Sequence, residues 1–264
     1  MMDGSNDRMD TTESSEKDRL SVLLQESSPD GLAALLLNPA LDERHVRLLL
    51  RRVELPTQTV EMIAGNRKWL RSEAVRLALV VHPHAPRRLA LTLLRQLLAL
   101  DLVRVSMNIT APPEIRCIAE ELVIERVRQL PLGEKLTLAR RGPARVAGAL
   151  LADGHQDVIS VVLQNPFLTE AQVVRVLWRA SVAPPVVVAI AEHSKWSVRY
   201  AVRLALVRNV HTPVAVALRI LPNLLLTDLR ELVRNGSIPG HLREAVRKEL
   251  ARRSGVGAGR KPSK

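Results

Sequence analysis

Two stretches of this 264-residue chain repeat each other at a fixed offset of 127 residues, starting at Asn38-Pro39 and at Asn165-Pro166. The run Ala74-Val-Arg-Leu-Ala-Leu-Val80 returns unchanged as Ala201-Val-Arg-Leu-Ala-Leu-Val207. Around it, Lys68-Trp69 recurs as Lys195-Trp196, His84 and Pro86 as His211 and Pro213, Asp101-Leu102 as Asp228-Leu229, and Pro112 and Arg116 as Pro239 and Arg243. Self-similarity over so long a period marks tandem copies of one block, and it must be met before any local assignment.

Inside each copy the apolar residues recur at three- and four-residue steps: Val46, Leu49, Leu50, Val53; Val60, Ile63, Ala64; Ile115, Ile118, Ala119, Leu122. That period predicts short helices, and strand-like alternation is almost absent. The breaks carry helix-start chemistry. Thr169 with Gln172 reads as a capping box, Thr212 is placed to cap a helix whose first residue is Pro213, and Pro112 and Pro239 occupy similar openings. Helices of about ten to fifteen residues are too short to stand alone and must bury their stripes on their sequence neighbours. The expected fold is all-α, with copies at about 29–130 and 157–253, connecting helices over 131–156, and two tails lacking apolar periodicity, acidic over 1–28 and basic over 254–264. Such tails are expected to be disordered. Ala74–Val81 and Ala201–Val207 are apolar nearly all round, so they should lie deep, and Arg76 and Arg203 then need helix-end carbonyls or a carboxylate.

The run Val202-Arg-Leu-Ala-Leu-Val-Arg-Asn-Val-His-Thr-Pro213, followed by Leu218 and Leu221, resembles the repeat of bacterial leucine-rich repeat variant proteins, within the HEAT and armadillo group of α-solenoids. Val75–Pro86 is a looser copy, and Asn165-Pro166-Phe-Leu-Thr169 is similar to the repeat junction. The resemblance spans 29–253 and implies a right-handed stack of short helices that serves as a binding scaffold. This chain departs from a regular repeat in that its clear period is the long one. Metal-dependent hydroxylases of the same group are marked by repeated His-Glu dipeptides, and none occurs here.

Composition narrows the function. Five aromatic residues make a base- or sugar-stacking platform improbable, and the lone Cys117 rules out an intrachain disulfide framework or an all-Cys metal site. The longest uncharged apolar run, Val182–Ala191, is about half of the roughly 20 residues a membrane helix needs. With no signal-like start, a cytoplasmic protein without membrane contact is expected. His82-Pro-His84 offers two ligands without an evident third, Cys117 has no visible activating base, and Asp101 and Asp228 favour helix N-termini rather than acid–base work. Trp69 and Trp196 read as fillers between layers, with the indole N–H on a carbonyl. No catalytic residue, metal or cofactor is expected.

The differences between the copies point to a surface. Arg44, Arg47 and Arg51 of the first copy become Ala171, Val174 and Trp178, and Thr59, Glu61, Arg87 and Arg88 become Val186, Val188, Val214 and Ala215. If exposed, Ala171, Val174, Trp178 and Val214 make an apolar patch for a protein partner, or for a second copy of the chain. If covered by the connecting segment 132–164, they are core. In the other direction Val103 and Met107 become Arg230 and Arg234. The 39 Lys+Arg exceed the 27 Asp+Glu, and the excess is concentrated over 169–253, whereas 1–28 carries seven acidic and three basic residues. Arg44, Arg47, Arg51, Arg230 and Arg234 are therefore candidate contacts for an anionic partner: an acidic protein, the chain's own acidic start, or nucleic acid. The leading expectation is a non-enzymatic adaptor. The alternative is a nucleic-acid binder on the Arg-rich C-terminal half, including a HEAT-like DNA glycosylase.

Overall fold

The computed structural model describes residues 28–234, 236 and 238–254; both predicted tails fall almost wholly outside this range. The described residues are helical throughout, with no strand among them. The backbone divides into two compact units, 1–123 and 124–264.

The first unit contains α1 (Pro29–Leu36), α2 (Glu43–Leu49), α3 (Thr57–Gly65), α4 (Arg67–Leu70), α5 (Glu73–Val81), α6 (Arg87–Gln96), α7 (Ala99–Met107) and most of α8 (Pro113–Arg126). Its helices pack on elements close in sequence: α1 on α3, α2 on α5, and α5 on α6 and α7. The second unit contains α9 (Leu132–Arg141), α10 (Ala144–Asp153), α11 (Gln156–Leu163), α12 (Glu170–Leu177), α13 (Pro184–Glu192), α14 (Tyr200–Arg208), α15 (Val214–Ile220), α16 (Leu226–Arg234) and α17 (Arg243–Arg253). Within this unit α9, α11 and α13 pack in one row, and α10, α12 and α14 in another. From α9 to α14 each helix thus packs on the helix two places along, and α16 packs on α17, which supplies the burial that eight to ten residues cannot supply alone.

The helix starts follow side-chain chemistry. Ser28 accepts from the Gly31 N–H, Ser72 from Val75 and Thr169 from Gln172, while Asp42 and His45 close a reciprocal capping box. Thr212 departs from expectation. Helix α15 begins at Val214 with Pro213 as its cap, and the buried Thr212 hydroxyl donates backwards to Leu206 O at 2.6 Å. The carbonyl at the end of α14 is buried and the N–H groups of α15 are not, so the hydroxyl serves the group that water cannot reach. Val53 also leaves the predicted stripe: α2 ends before it, and it is 50% exposed. Gly154 closes α10 in the left-handed region at φ 74°, where a side chain would be strained and would also press on Ala183 and Val186.

One bond pattern ties neighbouring helix ends. Asn209, after α14, accepts from the His211 N–H at 2.9 Å through Oδ1 and donates from Nδ2 to Leu177 O, the end of α12, at 2.6 Å. Asn165, after α11, accepts from Phe167 N and donates to Ala139 O and Gly142 O at the end of α9. In the first unit the matching position to Asn209 is His82: its Nδ1 accepts from the His84 N–H at 3.2 Å, and its Nε2 faces Arg52 O at 3.0 Å. The expected helix-end carbonyl is met at Arg76, which donates to Leu70 O, the end of α4, at 3.0 Å; Arg203 instead donates at 2.8 Å to Ser197 O, the corresponding position, which lies in the turn before α14 because the second copy has no helix there.

Replacing Asn209 with Ala leaves the Leu177 carbonyl and the His211 N–H without their partner. A loss of about 1–3 kcal/mol is expected, or several degrees in Tm at about 2–4 °C per kcal/mol. Asn209→His, which installs the first copy's residue, should recover most of it. Equal melting curves for wild type and Asn209→Ala would show that the bond contributes nothing.

Candidate partner-binding surface

Helix α12 buries Val173, Val176 and Leu177 on its inner side. Its outer side carries Ala171, exposed, and Val174, half-buried, and ends on Trp178, which is 66% exposed. The connecting segment therefore does not cover this face, and the alternative in which it is core fails at its largest residue. Val214, the first residue of α15, is 43% exposed and Ala215 is also exposed, but Val186 is fully buried and Val188 half-buried. The change from Thr59 to Val186 is a core change, since Thr59 is buried too.

One exposed apolar residue lies outside the sequence pattern. Val210, 58% exposed, follows Asn209, whose side chain reaches the carbonyl of Leu177, the residue before Trp178. Val210 lies in a turn, where helical periodicity has no meaning. Leu218, 54% exposed, sits one turn beyond Val214 on α15 and was legible from that spacing. The loss of Arg87 at position 214 has a local counterpart. In the first unit Arg87 pairs with Glu114 through its guanidinium; the residue matching Glu114 is His241, whose Nε2 faces Thr212 O at 2.9 Å. Both members of the ion pair have changed, so Val214 leaves no orphaned carboxylate. A separate apolar hollow in the second unit, between α11 and α13, is lined by Ile159, Pro184, Pro185 and Val188, with Gln156 and Glu192 among its polar residues.

The basic candidates lie in different units. Arg44, Arg47 and Arg51 are exposed and, with Leu48, line one surface hollow on α2 of about 210 Å³. Arg230 and Arg234 are exposed one turn apart on α16. None of the five has a carboxylate salt-bridge partner among the described residues.

The remaining candidates serve the scaffold. Trp69 and Trp196 are buried, and Trp196 Nε1 donates to Leu163 O at 2.8 Å. Lys68 and Lys195 place their ammonium groups 4.6 and 4.3 Å from the centres of these rings. Cys117 is exposed on α8, Asp101 pairs with Arg104, and Asp228 accepts from the Tyr200 hydroxyl. His84 Nδ1 faces Leu55 O at 2.7 Å and His82 faces Arg52 O, so both rings are engaged with backbone. No group of three or more His, Cys, Asp or Glu able to hold a metal occurs among the described residues, and no helix there is long and apolar enough to cross a membrane.

No family model, curated protein or solved structure matches the chain.

His82 generates a pH prediction. Its Nδ1 accepts an N–H and so carries no proton, and burial, aided by the His84 ring, holds its pKa below the ordinary imidazole range against the Arg52 carbonyl and Glu54. The unfolded chain then binds more protons than the folded one, so this stability is complete above about pH 6.5 and is lost as pH falls towards the folded value. His193, lowered by burial and then by Lys195, acts with the same sign. His82→Asn should melt like wild type at pH 7.5 and above it at pH 5.5. Parallel pH profiles of Tm would assign the loss elsewhere.

Proposed function

We propose that the chain is a non-enzymatic helical-repeat scaffold: a right-handed α-solenoid of the HEAT and armadillo kind, built from two tandem copies, that binds a protein partner through its second unit. The row-on-row packing of short helices within each unit supports the stacked arrangement. So do the matched bonds at His82 and Asn209 and at Arg76 and Arg203, in which corresponding residues do the same work in both copies.

The observation that carries the binding reading is Trp178. A large aromatic left 66% exposed has the character of an anchor at a protein interface. It stands at the cap of a helix whose inner side is packed and whose end is tied to Asn209. The anchor is thus held in place before binding, and little ordering cost is added on association. The partner is a protein, either another chain or a second copy of this one. The nucleic-acid alternative rests on Arg230 and Arg234, exposed on one face of α16 with no carboxylate against them. Its glycosylase form asks for a free carboxylate nearby, and Asp228 is engaged by Tyr200.

A photo-reactive residue in place of Val210, irradiated in native lysate, should give adducts to protein that survive nuclease treatment. Trp178→Ala should reduce their yield by about thirtyfold, the loss of one anchor residue, while shifting Tm by about 2 °C or less. A large fall in Tm would make Trp178 a core residue and overturn the reading. Adducts that vanish with nuclease would favour nucleic acid.

A further inference from the structure

The first unit carries a feature that the second lacks. Arg44, Arg47 and Arg51 surround Leu48, which is 48% exposed, and together they line one hollow on α2. The corresponding positions 171, 174 and 178 of the second copy hold Ala, Val and Trp. Arg44 shares the field of Asp42, whose carboxyl is held below its usual range chiefly by the His45 N–H. Arg47 and Arg51 have no carboxylate salt-bridge partner among the described residues. The hollow therefore presents an apolar floor with cations around it.

Its chemistry favours a peptide over a nucleic acid. Seven residues of helix span only about 10 Å, too short for a track of phosphates, and no aromatic side chain lines the hollow for a base to stack on. What fits is a short segment with aliphatic side chains for Leu48 and carboxylates for the arginines.

This chain contains such a segment close by. Residues 16–26 read Glu-Lys-Asp-Arg-Leu-Ser-Val-Leu-Leu-Gln-Glu, an aliphatic cluster at Leu20, Val22, Leu23 and Leu24 preceded by Glu16 and Asp18, which alternate with Lys17 and Arg19, and followed by Glu26, for three acidic against two basic side chains. It ends two residues before Ser28, the cap of α1. Leu20, Leu24 and Glu26 lie eight, four and two residues before Ser28, about 28, 14 and 7 Å of extended chain, so the segment is tethered to the first unit and its effective concentration there is high.

We propose that residues 16–26 dock in the same chain on the Arg44–Arg47–Arg51 hollow, with the aliphatic cluster over Leu48 and the flanking carboxylates on the guanidinium groups. The docked segment occupies a charged face that would otherwise draw acidic ligands non-specifically. This does not depend on the scaffold reading: it concerns the other unit and is tested without a partner.

The test uses the full chain with a diazirine-bearing residue in place of Leu23, irradiated after nuclease treatment, the links being mapped by mass spectrometry. Links should fall on the peptide containing Arg44–Arg51 and within one chain when ¹⁴N- and ¹⁵N-labelled protein are mixed. They should drop about tenfold in the R44E/R47E/R51E variant, as expected for three exposed pairs, and return when E16K/D18K/E26K is added. On the arginine-intact chain, the same links should weaken as salt is raised to about 0.5 M, a readout independent of whether the charge-reversed variant folds. Links only between differently labelled chains would assign the hollow to a second copy and overturn docking within the chain. Links that map elsewhere, that ignore charge reversal and salt, or that form only once nucleic acid has been digested away would also overturn it.

Discussion

The constraint on which the architecture depends is the fate of carbonyl groups at the ends of very short helices. Every α-helix leaves its last four carbonyls without an intrahelical donor, and in an eight-residue helix such as α12 that is half of them. Where helices pack in rows, many of these ends face a neighbour instead of water, and each unmet carbonyl costs about 1–3 kcal/mol. The chain meets the need with side chains that both donate and accept. Asn209 and Asn165 turn their own backbone with one atom and reach the preceding helix of the same row with the other. The bond that satisfies a helix end thus also fixes the spacing between helices.

His82 shows that the requirement is geometric and not specific to one residue type. An imidazole and a carboxamide each present an acceptor and a donor on opposite sides of a short stem, and either completes the same turn at corresponding positions of the two copies. They differ in that the imidazole titrates. The first unit therefore acquires a pH dependence at a place where the second has none; the local turn bond is kept, while the carbonyl reached differs by two positions, Arg52 O in the first copy and Leu177 O, the counterpart of Leu50, in the second. The exposed Arg87–Glu114 pair and its replacement by Val214 and His241 show a paired change of the same kind: both members of the ion pair are lost together, and His241 turns instead to Thr212 O.

Much of this was legible in the sequence. The offset of 127 residues, the helical period, the Thr169 cap, the buried tryptophans and the demand of Arg76 and Arg203 for backbone carbonyls all follow from residue type and spacing. Exposure on α12 did not. Periodicity states that Ala171, Val174 and Trp178 share a side, but only the placement of neighbouring helices decides whether that side is covered, and the Trp at its end lies open. Val53 was counted as core because its spacing continued a stripe past the point where α2 stops. Thr212 was misread because a threonine before a proline has two helix ends to serve, and sequence does not say which one is buried. Val210 lies in the turn after α14, where helical spacing carries no signal.

The same accounting of helix ends changes what the basic composition means. A chain with 39 Lys+Arg against 27 Asp+Glu suggests a phosphate ligand if every cation is taken as surface charge. Several are not free in that sense. Arg76 and Arg203 spend donors on backbone carbonyls of the segments before their helices, and Arg253 donates to Leu224 O and Leu221 O while pairing with Glu249. A guanidinium suits this work because it keeps its charge at any physiological pH and offers five donors in a rigid plane, so one side chain can reach several carbonyls at once. Part of the positive charge is therefore committed to holding short helices together. What a ligand would feel is the remainder, which includes exposed arginines close together on α2 in one unit and on α16 in the other. Net charge alone is accordingly a poor guide to the partner, and the local company of each cation is a better one: Leu48 among the arginines of α2, and an exposed tryptophan where the second copy has given those arginines up.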